Sequence, residues 1–590
     1  MKSDILHIIG RDDKSFIAKI NKSSKIIFLD KEQKDFVNQF SLIRNFNERQ
    51  NFLREKWLIF QEEVFKKIQP SIDQDEDFRY ILSSLFFEAS PYKTNVMYQF
   101  FKLYLVIDYI KKENIKKVFL VNVSRDISAF FSSNIKYLDI SVKAIKTQKN
   151  KFFLKQLIQN NALISMFYHL YVEYKRKRQK ISSFKNQSSK AVFSYYSFQS
   201  INNEFLNKYF SDVSNLLKEN YASLFLYVGN ISNLGKENKI LSNNSNTYGF
   251  LDSYFLLSDF KNVTLDFYRI QKKLKSIKLK NLFVFEGINY LSITKGDWLK
   301  SICYILLQTL IFEKKFKNFL KVNSKIEEII YLMEFQPWEL MLNKVAHKYG
   351  IKTKGITHAV IRPNMLQYFH PKSIHPFFYN PTFVGANSNF CEALYLRNGF
   401  SSDQVLKIEA QRFNYLDYAL DNIDEKKTQI RKSILITTSI TSIETKELLE
   451  VFALANVKFD KIYIKEHPNL PVKPIIESLN KKFPSYEIFE GSIANAFENS
   501  DIVYTANGSS VLLESVLNKK HTVTLISLSS LPMPAIEQAP NLHLAYDTNS
   551  LSKILSQLML NPKIDLKKNN INNDLYLSKN LNLWRNFINK

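Results

Sequence analysis

The residues whose types and spacing suit chemistry gather in the second half of the chain. In Met333-Glu-Phe-Gln-Pro-Trp-Glu339, two carboxylates stand among apolar side chains. Burial disfavours a charged carboxyl, so Glu334 or Glu339 is expected to titrate closer to neutral, as a general base requires. Five residues apart, the two do not share a helix face, and at most one serves. Glu339 also has a plainer reading, as the acid favoured in the first turn of a helix beginning at Leu340. His358 ends the strand-like run Lys354-Gly-Ile-Thr-His358, and Arg362 follows four residues later. A guanidinium there, or at Arg412, suits two-pronged recognition of a carboxylate or phosphate. An ordinary buried histidine and surface arginines are the competing readings.

A second set lies where the strands of the last third end. Ligands of an open parallel sheet bind beyond the carboxyl ends of its strands. Those ends carry Thr437, Thr438 and Ser439, then Glu466, His467 and Pro468, then Glu490, Gly491 and Ser492, and lastly Thr505-Ala-Asn-Gly-Ser-Ser510. Thr438, Ser439, His467, Pro468, Glu490, Asn507, Gly508, Ser509 and Ser510 are therefore expected to line a nucleotide. Gly508-Ser509-Ser510 opens a helix, where free amides, the helix dipole and two hydroxyls favour a phosphate. Simple capping by the serines competes with that reading. Neither G-x-G-x-x-G nor G-x-x-x-x-G-K-[ST] occurs in this segment, which counts against dinucleotide and P-loop chemistry. No metal site is expected. The two cysteines, Cys303 and Cys391, are far apart, and Asp73-Gln-Asp75-Glu-Asp77 sits in a helical, acidic context.

These side chains need elements to hold them, and the last third supplies a regular set. Apolar, β-branched strands are expected over 433–439, 461–468, 486–491, 501–507 and 521–527. Helices over 444–456, 472–483, 509–519 and 549–560, and a short one from 493, alternate with them. Strict alternation means a parallel sheet covered on both faces, a Rossmann-like unit. Earlier in the chain, strand-like runs at 117–122, 224–229 and 281–286 alternate with helical patterns such as 92–112, again α/β. Two apolar stretches, 301–312 and 161–172, fall short of the ~20 residues of a spanning helix and read as core helices. The second runs into Tyr174-Lys-Arg-Lys-Arg-Gln-Lys180, a combination that also suits a helix resting on anionic headgroups. The polar stretches 182–189 and 242–247 read as surface loops.

With 590 residues, 45% of them hydrophobic and 23% charged, the chain has material for two to four domains and is neither disordered nor fibrous. Two cysteines and an amino terminus without a secretory pattern point to the cytoplasm. The net charge of +26 is scattered and comes without a nucleic-acid-binding signature, so it implies affinity for anions rather than for nucleic acid.

The order of motifs resembles the family of bacterial surface carbohydrate biosynthesis proteins, glycosyltransferases of the GT-B type. The matching runs are Glu334-Phe-Gln-Pro-Trp-Glu339, Gly355-Ile-Thr-His358 with Arg362 and Tyr368-Phe369, Glu409-Ala-Gln-Arg412 with Tyr415-Leu416, and the terminal Leu581-Asn-Leu-Trp584. Ala359 and Pro363-Asn364 depart from the family pattern. The His467-Pro468 turn, followed by a Gly/Ser helix start, is similar to transferases that use CMP-activated Kdo or sialic acid. The resemblance implies an α/β, GT-B-like fold of two Rossmann-like domains facing a cleft, with an elaborated N-terminal domain. Residues 1–425 would form the acceptor side, 430–560 the nucleotide-sugar domain, and 561–590 a tail packing back. It implies metal-independent transfer of a sugar, an acidic ulosonic acid from a CMP donor, to a lipopolysaccharide or capsule glycan. Glu339, Glu334 and His358 would then be catalytic, and Arg362, Arg412 and Gln336 would bind substrate. The donor is a co-substrate and no cofactor is implied. The acceptor is lipid-linked or oligosaccharide, met by a cytoplasmic protein in peripheral contact with the anionic inner membrane. A CDP-alditol phosphotransferase and a non-catalytic nucleotide-sugar-binding subunit are the alternatives.

Overall fold

The computed structural model describes residues 5–10, 20, 24–30, 39–147, 154–179, 188–196, 209–210, 212–218, 220–227, 231–235, 248–416, 432–468, 470–479, 482–527, 539–560, 575–578 and 580–590. Short apolar, β-branched segments form strands buried on both faces, which commits them to parallel sheets wrapped by helices. The strands are β1 (Ile5–Ile9), β2 (Lys25–Phe28), β3 (Lys117–Val123), β4 (Ser141–Thr147), β5 (Lys190–Tyr196), β6 (Ala222–Tyr227) and β7 (Tyr248–Phe250). They continue with β8 (Glu328–Leu332), β9 (Lys352–Ile356), β10 (Phe383–Ala386), β11 (Val405–Lys407), β12 (Ser433–Thr437), β13 (Lys461–Lys465), β14 (Glu487–Ile488), β15 (Ile502–Ala506), β16 (His521–Leu525) and β17 (Leu542–Ala545).

They make three sheets, in the orders β2-β1-β3-β4, β11-β10-β9-β8-β5-β6-β7 and β14-β13-β12-β15-β16-β17. Pairing within each is parallel throughout. Counted along the chain, the second and third sheets both follow the doubly wound sequence 3-2-1-4-5-6, with one strand more in the second. Their order reverses between β5 and β8, and between β12 and β15. At such a switch point the helices leave to opposite faces and open a crevice at the strand ends. The chain is thus an α/β protein of GT-B-like architecture, as expected, and its N-terminal elaboration includes the first sheet, parallel as well.

The helices that matter here are α1 (Leu42–Gln74), α2 (Val96–Lys112), α3 (Leu154–Asn160), α4 (Ala162–Lys177), α5 (Asp259–Lys275), α6 (Leu306–Val322), α7 (Pro337–Lys348), α8 (Ser442–Ala455), α9 (Val511–Leu517) and α10 (Asn582–Asn589). One core spans the first two sheets, α1, α2, α5, α6 and α7, while the third sheet has its own. The apolar stretch 301–312 lies in that first core, as its composition requires.

Three expectations change. The run 281–286 is not a regular strand. Leu279–Leu282 is helical, and only Val284–Phe285 pairs, antiparallel, with Ile288–Asn289. Glu286 and Gly287, at φ +47° and +77°, turn the chain back at once, so the aromatic side chains plug the core instead of extending a sheet. The helix expected over 472–483 is limited to Lys473–Glu477. Strand β17, absent from the sequence reading, closes the third sheet. The stretches 182–187 and 242–247, read as loops, lie outside the described residues.

The last helix returns to the second sheet. Trp584 and Phe587 of α10 pack with Val192, Ile330 and Ile356. The Glu409 carboxylate accepts the amides of Leu583 and Trp584 at 2.9 Å, and the Trp584 indole donates to the Glu409 carbonyl at 3.0 Å. Two of the runs in the family resemblance, far apart in sequence, are therefore a helix N-terminus and its acceptor.

Candidate functional site

Beyond β8 the chain makes a tight turn in which Phe335 takes φ +57°. A left-handed conformation costs a non-glycine residue ~1–2 kcal/mol. Two contacts offset it: the Phe335 ring packs on Tyr368, His370 and Tyr395, and Glu339 holds the turn from α7. Both Glu339 oxygens accept the Glu334 amide, at 3.1 and 2.9 Å. The amides of Phe335 and Gln336 also point to this carboxylate. Glu339 is completely enclosed, and burial, with the Glu334 charge nearby, pushes its carboxyl well above the ordinary range.

The turn directs Glu334 the other way. Its side chain is 28% exposed, and Glu334 Oε1 lies 3.4 Å from His358 Nε2, beyond the end of the neighbouring strand β9. Burial alone would raise the Glu334 carboxyl, but hydrogen bonding and charge from His358, with help from Gln336 and Lys93, bring it below the usual value. The expected upward shift therefore falls on Glu339, which cannot reach a substrate, and not on Glu334. Gln336 donates to Glu334 and, at 3.0 Å, to the Tyr195 hydroxyl at the end of β5. Tyr195, Glu334 and Gln336 thus occupy the switch point of the second sheet. His358 Nδ1 is buried and has no hydrogen-bond partner among the described residues.

At the switch point of the third sheet the chemistry is hydroxylic. Thr437 and Thr505 bond across β12 and β15 at 2.6 Å. Ser439 donates to the Glu444 carboxylate, which also receives the Gly508 amide at 3.4 Å. Ser509 Oγ accepts the Val511 amide at 3.2 Å, a local turn just before α9. Asn507 is fully buried in the turn. One strand further out, Thr438 Oγ1 accepts the His467 amide at 3.0 Å. Pro468 and Glu490 are exposed, Glu490 beyond the edge strand β14. Ser439, Gly508, Ser509 and Ser510 thus converge, Thr438 and His467 flank them, and Glu490 stands about three strand spacings of ~4.8 Å from β15.

The two switch points meet. Arg412 Nη2 donates to Ser510 Oγ at 3.3 Å. Arg362 is buried, with Nη1 3.8 Å from where a Cβ on Gly508 would stand. Its Nε has no partner among the described residues. Tyr209 joins the sets, its ring edge-on to His358 at 4.8 Å and under the Arg412 guanidinium at 5.8 Å. A third wall comes from the loop before α2, where the Tyr92 hydroxyl accepts from Arg362 at 2.6 Å and Lys93 Nζ lies 3.3 Å from Gln336 Oε1. Sequence reading missed Tyr92, Lys93, Tyr195, Tyr209 and Glu444. Glu444 was within reach, one turn into the helix after a strand end already singled out; the aromatic residues carried no spacing signal.

Set together, these groups can take a proton at the carboxylate–imidazole pair and hold a doubly or singly charged anion between two guanidinium groups and the Gly508 turn. His358 Nδ1 and Arg362 Nε, both buried and without a partner among the described residues, belong to this same set of side chains.

No protein-family model and no curated protein matches this chain. Among solved structures it is similar to a glycosyltransferase from Rickettsia africae at 16% identity, covering 68% of this chain and 98% of that one, with a TM-score of 0.36. It is also similar to UDP-GlcNAc 2-epimerase from Neisseria meningitidis bound to UDP-GlcNAc, at 13% identity over 63% and 92% of the two chains and a TM-score of 0.34. MurG from Acinetobacter baumannii is similar at 11% identity over 63% and 90%, with a TM-score of 0.33. The architecture itself is defined by the strand orders given above.

Proposed function

We propose that this protein is a metal-independent glycosyltransferase that uses a nucleotide sugar and extends a lipid-linked surface glycan. The observation that carries the reading is the meeting of two unlike switch points. Arg362 and Arg412 from one sheet reach the Gly508–Ser510 turn of the other, beside the Glu334–His358 pair. Glycosyl transfer needs both functions in one crevice: a proton acceptor for the incoming hydroxyl and cationic or N–H donors for the departing phosphate. With its lowered pKa, Glu334 stays ionised and takes the acceptor proton, and His358, with Nε2 3.4 Å from Glu334 Oε1, shares that proton as it arrives. Arg362 and Arg412 receive the phosphate oxygens as the bond to the sugar breaks.

Two arginines also suit a donor sugar that bears a carboxylate, which supports an acidic ulosonic acid carried on CMP, added to lipopolysaccharide or capsule on the cytoplasmic face of the membrane. Thermal-shift measurement with CMP, CDP, UDP and GDP tests this. Cytidine nucleotides stabilise the protein by about 2.7 kcal/mol at a hundredfold excess over Kd. A preference for UDP overturns the acidic-sugar assignment, and no response to any of the four overturns nucleotide binding.

A further inference from the structure

Helices α3 and α4 leave an outward face that the cleft does not use. Leu163, Phe167, Tyr171 and Tyr174 follow one another at helical spacing along α4 and are all exposed, Phe167 at 64%. Leu154 of α3 is exposed at 68%, and α3 buries none of its residues. This is not a core helix, as the plainer sequence reading had it, but one whose apolar stripe looks outward. Tyr268 of α5, also exposed, reaches Met166 and widens the strip.

What fixes that rotation is charge on the inner side. Glu173, the one acid within 154–179, is turned inward. It pairs with Arg176 at 2.5 Å and Lys315 at 3.0 Å, and Asp252 completes the cluster. Breaking a buried ion network leaves an uncompensated charge, so the helix cannot roll to hide its stripe. Every charge left on the outer side is positive: Lys155, Lys175, Lys177 and Arg178. Lys175 and Arg178 lie over the rings of Tyr171 and Tyr174. Among the described residues no helix is long and apolar enough to cross a membrane.

We infer that the α3–α4 face docks on an anionic lipid surface, lying in the headgroup layer with Leu163, Phe167 and Tyr171 inserted and Lys175, Lys177 and Arg178 on the acidic headgroups. A stripe one helix wide, aromatic and aliphatic, rimmed only by cations, matches an acidic plane backed by hydrocarbon. The inference deepens the lipid-linked acceptor of the proposed function and identifies the surface that would bring the protein to it.

Sedimentation of the full chain with vesicles of phosphatidylcholine, with and without phosphatidylglycerol, tests it. The expected result is binding to the acidic vesicles, weakened roughly 100-fold when Lys175, Lys177 and Arg178 are all replaced by Gln. The Phe167→Ser/Tyr171→Ser variant should lose the binding that survives high salt. Equal sedimentation of all three proteins, or no preference for acidic vesicles, overturns the inference. So does light scattering in which Phe167→Ser/Tyr171→Ser turns a dimer into monomers while vesicle binding is unchanged, since the stripe would then be covered by a second copy. These residues lie outside the cleft and the assay contains no donor, so its failure and the failure of the transfer reading are separable: nucleotide stabilisation persists in both variants.

Discussion

The switch points of the second and third sheets have the same strand order and opposite chemistry. One presents a carboxylate, an imidazole and aromatic rings; the other presents hydroxyls, amides and a glycine. Topology decides where a crevice opens, and the residues just past the strands decide what it does. Even within the first crevice, two glutamates five residues apart divide the labour. Glu339 is enclosed and builds the turn, while Glu334 is presented by it.

The sharpest way to break this comparison is Glu334→Gln. Release of nucleotide from the donor should fall at least ~100-fold, since the general base is lost, with little change in melting temperature. Unchanged turnover would leave a binding subunit and not a transferase. Glu339→Ala should do the reverse in kind. Removing the acceptor of the turn amides is expected to cost ~2–4 kcal/mol in urea unfolding, with activity falling only as the turn loosens. At the third sheet, Gly508→Val should weaken nucleotide binding about tenfold by calorimetry, since branched carbons would enter the space between Glu444 and Arg362. An unaltered Kd would move the phosphate away from this turn.

The smallest effect is in pH. The Glu334 pKa is lowered by folding, so its contribution is full above the ordinary carboxylate pKa and fades as pH falls through the folded value. The Glu339 pKa is raised, so its ionisation in the unfolded chain costs stability as pH climbs above the ordinary value. Relative to the parent, Glu334→Gln should lose stability with rising pH from acid toward neutral and Glu339→Gln should gain it. Parallel pH profiles would remove the distinction between the two carboxyls.

Much of the third sheet was legible in the sequence, because strands such as Ser433–Thr437 and Ile502–Ala506 have apolar, β-branched centres and end in polar turns. That regularity also led to Ser439 and Gly508. The second sheet was harder to read. Its strand β5 was not singled out, and a long helical insertion separates β7 from β8, so the adjacency of Tyr195 and Glu334 lay beyond any local pattern. Tyr92 and Lys93 approach from the loop before α2, far from Arg362 and Gln336 in sequence. The direction of the Glu334 shift differs from expectation because Phe335 and Trp338 are near in sequence, whereas the charges of His358 and Lys93 and the hydrogen bonds of His358 and Gln336 come from the fold and outweigh burial.

The return of α10 to the second sheet bears on how the cleft could open. Since the chain enters the third sheet after β11 and leaves it again for α10, the two lobes are joined by a pair of crossings and not by a single tether. Two covalent connections leave the lobes fewer relative arrangements than one would. Cutting one crossing should leave the lobes attached but free to twist, which would blur the alignment of Arg412 with Ser510 before it affected either lobe's own folding.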